Sequence, residues 1–361
     1  MFEQIAEAIK SKDYRQAAQL LSPLRKQQPD NPWVQLYVGL VYEGTKHWSN
    51  AEKTYRQLLK ATTNPKIITQ ARKGLGRLQK IEQESRKQAI AEALAAPKGS
   101  DPGVLVLEPI IPALKLEAAK SFAKIMEMDA YTARLQIPSQ GWRLYRTGKL
   151  GELNYYVSCL QKADIKCFCT SLLTLETINI YQVRYFQSLE KEANFCYQDS
   201  QGNLKTLSFH WSEISKRVEG LVPLFDSVVD TDARRNLQRK TQTLDYVQFC
   251  DLHLPEKQTI LRLSDRHYEF QQGTSFASNG RTSPALGQGT IRKNWNNLMN
   301  LINQKLPHTL VWSDFTYFAE TALEFPEMLK RVKSNIELFR REETPWDAAF
   351  QLYSCLVFFK Q

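Results

Sequence analysis

The chain has 361 residues, of which 42% are apolar and 24% charged, and its formal net charge is +10. This length favours two or three domains, and the composition is that of a globular protein able to bury cores. No run approaches the roughly 20 consecutive apolar residues of a membrane helix. The start lacks the basic region and long apolar core of a secretory signal, so we expect a cytoplasmic protein.

The positive charge is concentrated near the N-terminus. Residues 1–96 contain 16 Lys and Arg against 9 Asp and Glu, a net of +7, and the rest of the chain adds +3. A basic surface attracts an acidic protein segment, nucleic acid or an anionic membrane. The alternative interpretation is charge that only solvates helix faces.

The six cysteines indicate buried free thiols. Five of them lie within apolar stretches, and the full set is Cys159, Cys167, Cys169, Cys196, Cys250 and Cys355. Zinc sites combine two ligand pairs at short spacing, and no second pair accompanies Cys167 and Cys169. Buried thiols of a reducing compartment fit this pattern. We therefore predict no metal site and no cofactor.

The N-terminal part contains an internal repeat of 34 residues. A shift of this length superimposes Tyr14 on Trp48, Ala17 on Ala51, Leu21 on Tyr55 and Leu24 on Leu58. A small residue three positions after a large ring lets two helices approach closely. The period and residue types resemble the tetratricopeptide repeat, and Gly39 and Tyr42 match its Gly-x-x-Tyr. The first unit has Ile5 in place of that glycine, and the second has Thr63 where the first has the terminal Pro29.

The resemblance implies an α-solenoid of helical hairpins over residues 1–95, capped by the helix that follows the second unit. Each unit of such a stack exposes an apolar stripe that a neighbour covers. Members of the family bind a peptide or helix in the groove lined by the first helix of each unit. In this chain that groove would contain Gln35, Tyr42 and Lys46. The basic excess favours an acidic segment of a protein partner.

Residues 96–108 are interpreted as a linker and residues 109–176 as a small α/β unit. Two prolines and two glycines between residues 95 and 103 end the preceding helix. Beyond them the pattern predicts a helix over 112–128 and a strand over Tyr131–Ile137. A strand, a helix and a strand then follow between Trp142 and Ser171, and these three resemble half of a ferredoxin-like unit.

The sequence pattern predicts a mainly antiparallel sheet or small barrel over residues 177–307. It predicts C-terminal helices over residues 308–361. Seven short strands precede an amphipathic helix, Trp295–Leu306, that would close the structure. This arrangement resembles a pleckstrin-homology-like barrel, a shape that binds lipids, peptides or proteins. A different small barrel or an α+β sheet is the alternative. Further helices are predicted over Pro326–Arg341 and Trp346–Phe359, and the fold class is α+β, multidomain, with an N-terminal α-solenoid.

No sequence motif indicates an enzyme. The P-loop, dinucleotide-binding, zinc-protease, nucleophile-elbow and EF-hand patterns are absent. His253 and His267 lie near Cys250 and Asp265, but residues three apart on a strand face opposite sides, so polar strand ends are the simpler interpretation. The Gly273–Gly289 stretch lacks the strand and the Lys-Ser/Thr of a phosphate loop and is interpreted as a surface loop.

A basic run between two predicted strands comprises Arg234, Arg235, Arg239 and Lys240. It is interpreted as a solvated loop, with contact to anionic lipid or nucleic acid as the alternative. The leading hypothesis is an adaptor whose helical repeats recruit a protein segment and whose α+β body senses a ligand or docks a second partner. The alternative is a protein associated with nucleic acid or an anionic membrane surface. An enzyme with a site around His253 and His267 is the third hypothesis.

Overall fold

The computed structural model describes residues 1–199, 201–231, 237–274, 290–338, 340 and 343–360, with the backbone alone at 227–231 and 237–241. The chain forms two compact units, Met1–Glu92 and Ala93–Gln361. Within the described ranges, no helix combines the length and the apolar character needed to cross a membrane.

The first unit is a run of helices, in agreement with the sequence prediction. They are α1 (Phe2–Lys10), α2 (Tyr14–Gln27), α3 (Pro32–Gly44), α4 (Trp48–Ala61) and α5 (Pro65–Ala95), whose last residues belong to the second unit. Side-chain oxygens of Asp13, Asn31 and Asn64 accept backbone amides in the first turns of α2, α3 and α5. These caps satisfy amides that lack a helical partner and fix where each helix begins.

Helix α3 is shared by two separate apolar cores of the first unit. Val34, Val38 and Val41 pack with residues of α1 and α2, whereas Leu36 packs with residues of α4 and α5. Tyr42 is partly buried against both cores. An element enclosed by neighbours requires apolar residues on all sides, which explains why α3 lacks a polar face. Helix α2 contributes to the first core only, so its other face is exposed.

The second unit begins with an antiparallel sheet of order β2-β1-β3, formed by β1 (Pro102–Leu107), β2 (Arg143–Lys149) and β3 (Cys167–Ser171). On one face, Leu105 and Leu107 pack with α6 (Lys115–Met126), α7 (Ala130–Gln136) and α8 (Leu150–Gln161). On the other face, Val104 and Val106 enter a larger core. The central strand β1 is therefore buried on both sides.

Two sequence predictions in this region are wrong. The predicted linker 96–108 contains β1, whose continuous apolar run reflects burial on both faces rather than a loop. The predicted strand Tyr131–Ile137 is mostly helix α7, because Asp129 accepts the amide of Thr132 and starts a helical turn. Tyr131 and Leu135, which suggested an alternating buried face, are exposed.

The large sheet has the order β10-β7-β8-β9-β4-β5-β6. After the short helix α9 (Leu172–Leu175), its strands are β4 (Asn179–Leu189), β5 (Glu192–Gln198), β6 (Leu204–His210), β7 (Lys216–Thr231), β8 (Leu237–Leu254), β9 (Thr259–Ser264) and β10 (Leu310–Trp312). The pairs β10–β7 and β4–β9 are parallel and the other pairs antiparallel. Among the described residues the sheet is open, with β10 and β6 at its edges, so the sheet alternative is confirmed and no closed barrel forms. Helix α10 (Ile291–Lys305) packs on one face through Trp295, Leu298 and Ile302.

The C-terminal region contains α11 (Phe315–Ala322), α12 (Pro326–Leu329) and α13 (Pro345–Phe359). The predicted helix over Pro326–Arg341 ends at Leu329, and the described residues 330–338 are not helical. The carbonyl oxygens of Ser334 and Asn335 there accept hydrogen bonds from Arg262 instead. Every residue of α13 from Asp347 to Val357 is buried, in a core shared with both sheets, which accounts for its strongly apolar sequence.

Candidate functional site

An open cavity of about 480 Å³ lies between α2 and α3 in the first unit. Its walls are formed by Ala18, Leu21, Ser22, Arg25 and Lys26 of α2 and by Val38, Val41 and Tyr42 of α3. All eight residues belong to the same compact unit. The size falls within the roughly 300–1,000 Å³ of typical ligand sites.

The floor of the cavity is apolar. Leu21, Val38 and Val41 are buried parts of the first core, and they present side chains to the cavity from below. Ala18 and Ser22 lie one helical turn apart on the exposed face of α2. Because both side chains are small, they leave space above the floor that larger residues would fill. The cavity can therefore accept an apolar side chain.

The rim of the cavity is positively charged. Arg25 and Lys26 are both exposed, and neither takes part in an ion pair or hydrogen bond of its side chain within the described residues. Among the described residues of this unit, Arg56 pairs with Glu52 and Arg77 with Glu43, whereas some other exposed cations are unpaired like the two at the rim. The two rim cations are thus available to an external anion.

A buried ring and a carboxylate join the helices that support α3. Tyr55 is fully buried, and its hydroxyl donates to Glu43 Oε2 at 2.8 Å. Arg77 donates to both carboxylate oxygens of Glu43 at 2.5 and 2.8 Å. Burial raises the pKa of Tyr55 above its usual value, and its bond to Glu43 raises that pKa further. The Tyr55 ring lies between Gly39 and Gly74, where an added Cβ would approach it to 2.5 Å from either side.

Sequence reasoning missed Gly74 and Arg77, and a signal existed for the glycine alone. Gly74 follows Gly39 by 35 residues, and Arg77 follows its partner Glu43 by 34 residues. Both spacings are close to the repeat period found in the first two units. A search for a third unit at about this period would have reached Gly74, which repeats the glycine at position 39, whereas Arg77 does not repeat the residue type of Glu43 and is known only from the contact.

The three predicted groove residues have different surroundings. Tyr42 lines the cavity. Gln35 is half-buried, and its side-chain amide donates to the carbonyl oxygen of Pro29 at 2.5 Å. Lys46 is exposed in the turn after α3, where its φ of 61° is in the left-handed region. Neither Gln35 nor Lys46 is among the cavity-lining residues.

The predicted basic loop is only partly covered by the structure. Arg234 and Arg235 lie outside the described residues. Arg239 and Lys240 are not in a loop, because β8 begins at Leu237 and its backbone pairs there with β7. Their side chains are outside the described set. Most of the predicted Gly273–Gly289 loop also lies outside it.

His253 belongs to a buried polar network that joins α13 to the large sheet. Arg262 donates to both carboxylate oxygens of Asp251 at 2.9 and 2.7 Å. Ser354 Oγ donates to Asp251 Oδ2 at 2.6 Å and lies 3.1 Å from His253 Nε2. Burial lowers the pKa of His253 to about 3, so its imidazole is neutral at pH 7. All four side chains are buried, and the network offers no surface to a substrate.

The remaining candidates for chemistry do not converge. Cys250 packs in the core under α10, on the opposite side of the sheet from His253, as the strand spacing predicts. His267 is half-buried beyond the end of β9. Within the described part of the chain, no group of three His, Cys, Asp or Glu side chains could hold a metal ion.

No family model, curated protein or solved structure matches the chain. The tetratricopeptide resemblance therefore remains a prediction from the residues, whereas the open large sheet of the described residues is not the barrel that the pleckstrin-homology-like resemblance implies. The geometry offers an apolar recess with two unpaired cations at its rim, an arrangement that can bind a ligand.

Proposed function

We propose that the protein is a cytoplasmic protein-binding adaptor, and that the α2–α3 cavity takes a short segment of a partner protein. The observation that carries this proposal is the open cavity between α2 and α3, with its apolar floor. In the same proposal, α1–α5 act as tetratricopeptide-like hairpins. The cavity, however, lies between the second helix of the first unit, α2, and the first helix of the second unit, α3, and shares only Tyr42 with the groove that the resemblance implies. The α+β body would sense a ligand or dock a second partner.

The dimensions of the cavity support a peptide ligand. From Ala18 to Lys26 the lining residues of α2 extend over about 12 Å, given a rise of about 1.5 Å per residue. About four extended residues or two helical turns cover that distance. Helix grooves with apolar anchoring positions are a recurrent mode of peptide recognition.

The alternative, association with nucleic acid or an anionic membrane through the basic run, has less support. Between residues 226 and 245, four acidic residues balance the four basic ones. A segment with equal numbers of positive and negative charges does not create the positive potential that attracts the phosphates of nucleic acids or lipids. Binding to DNA or to anionic vesicles that falls steeply with salt would favour this alternative over the adaptor.

The proposed site can be tested with two tryptophan substitutions on one helix. Ser22→Trp fills the cavity from its exposed wall, whereas Gln19→Trp places the same bulk on an exposed position of α2 outside the lining. A library of random nonapeptides is selected on the full-length chain, and selected peptides are titrated calorimetrically.

The proposal predicts that Ser22→Trp removes peptide binding and that Gln19→Trp leaves it unchanged. Selected peptides that bind the wild type, Ser22→Trp and Gln19→Trp equally would refute the cavity as the binding site. Failure to select any binding peptide would have the same consequence, because a pre-formed peptide site should yield ligands from such a library.

A further inference from the structure

We infer that the occupant of the α2–α3 cavity is an acidic protein segment carrying one apolar anchor residue, whose carboxylates are bound by Arg25 and Lys26. This inference rests on the proposed function and specifies its ligand. The cavity supplies each of the two interactions through different residues, and each can be removed separately.

The anchor is apolar because the floor of the cavity contains only apolar side chains. Leu21, Val38 and Val41 offer no donor or acceptor to a polar group, and burying an unpaired polar group is unfavourable. An aliphatic side chain such as leucine removes apolar surface from water at the same place. One anchor fits, because the small residues Ala18 and Ser22 open a single recess in the α2 surface.

The flanking groups are acidic because the rim is cationic and uncompensated. Arg25 and Lys26 are adjacent in sequence at the same end of the cavity, and no acidic residue is among its lining residues. Like charges that face each other across an interface disfavour a basic segment and slow its association. The guanidinium of Arg25 can also bind a carboxylate in the bidentate geometry that favours arginine at such sites.

The position of the two cations gives the segment a direction. Arg25 and Lys26 belong to the last turn of α2, whereas Ala18 lies in its first half. The carboxylates therefore lie beyond the anchor toward the C-terminal end of α2. A cation in the last turn of a helix is favoured by the helix dipole, so the two side chains are compatible with this helix end.

The test is a charge exchange between protein and peptide in the full-length chain. The double variant Arg25→Glu/Lys26→Glu reverses the charge of the rim. The control variant Lys10→Glu/Arg15→Glu makes the same change of net charge at exposed positions outside the cavity. The probes are the library-selected peptides, each with matched versions in which the acidic residues are replaced by lysine or the anchor by serine.

The inference predicts that the selected peptides are acidic around one apolar residue. Reversal of the rim lowers their affinity by at least about tenfold, as expected when exposed ion pairs are replaced by like charges. The control pair changes affinity less than threefold, and the lysine peptides regain binding to the reversed rim. Replacing the anchor by serine abolishes binding in every protein.

The result that overturns the inference differs from the one that overturns the proposed function. The claim of an acidic ligand is refuted if Ser22→Trp blocks the selected peptides but those peptides are not acidic, or if reversing the charge of the rim does not change their binding. The peptide site itself would then still stand. Peptides that Ser22→Trp does not block refute the site itself. Restoration by lysine peptides also shows that the reversed protein is folded.

Discussion

Two glycines of α5 provide a matched pair of perturbations for the packing of the N-terminal helices. A Cβ on Gly74 would lie 2.5 Å from the Tyr55 ring, whereas a Cβ on Gly76 meets no atom within 4 Å. Replacing glycine by alanine in a helix stabilises by about 1 kcal/mol where nothing is touched. Overpacking a core costs about 1–3 kcal/mol. We therefore expect Gly76→Ala to stabilise the unit by about 1 kcal/mol and Gly74→Ala to destabilise it by up to about 2 kcal/mol.

The Tyr55 ring cannot move aside to accommodate the new methyl group. It is fully buried, Gly39 contacts its opposite edge, and its hydroxyl is bound to Glu43. Replacing Tyr55 by leucine removes the obstacle, so in that background Gly74→Ala should no longer be destabilising. Amide hydrogen exchange of α3–α5 in the full-length chain measures the local opening free energy, with α10 as the internal reference. Equal stabilisation by Gly74→Ala and Gly76→Ala would refute the close approach of these helices.

Three further predictions concern hydrogen bonds and titration. Tyr55→Phe removes the donor to Glu43 and should cost about 1–2 kcal/mol, measured by the same exchange experiment; no change would mean that the bond is not stabilising. Arg262→Met leaves the buried Asp251 without its cation and should cost about 3–5 kcal/mol in urea unfolding; a cost below about 1 kcal/mol would contradict the network. The folded pKa of His253, about 3, lies below the unfolded value of about 6.5. Its contribution to stability is therefore fully present above pH 6.5 and is lost by about 1.4 kcal/mol per unit as pH falls toward 3. His253→Gln should reduce the loss of unfolding free energy measured between pH 7.5 and 5.0. Burial also lowers the pKa of His267, which therefore contributes to this loss in both the wild type and the variant. An equal loss in the two proteins would contradict the assignment of the pH dependence to His253.

The N-terminal helices could be predicted because their signals are local. Asp13 and Asn31 cap helices within a few residues of their own position, and apolar residues recur at the helical period. The wrong strand at Tyr131–Ile137 shows the limit of this reasoning. Seven residues of alternating apolar character also fit a short helix, and only the cap at Asp129 distinguishes the two.

The large sheet could not be ordered from the sequence because its neighbours are distant along the chain. Strand β4 pairs with β9 and β10 pairs with β7, both in parallel. No local pattern specifies such pairings. The buried pair Asp251 and Arg262 holds β8 and β9 in register, yet in the sequence both residues resemble ordinary surface charges.

The candidate site was predictable only in part. Tyr42 was indicated by its place in the repeat, but Arg25 and Lys26 are indistinguishable in the sequence from cations that solvate a helix end. Their importance depends on the small residues Ala18 and Ser22 beside them and on how α2 lies against α3. That relation is a property of packing, which the repeat pattern does not specify.

The central claim, that the α2–α3 cavity binds a protein segment, is tested most directly by hydrogen exchange of the full-length chain with and without a selected acidic peptide. The account predicts slower exchange in residues 18–26 and 38–42, with the rest of the chain unchanged, and no slowing in Ser22→Trp. Slower exchange elsewhere, with these two segments unaffected, would contradict it.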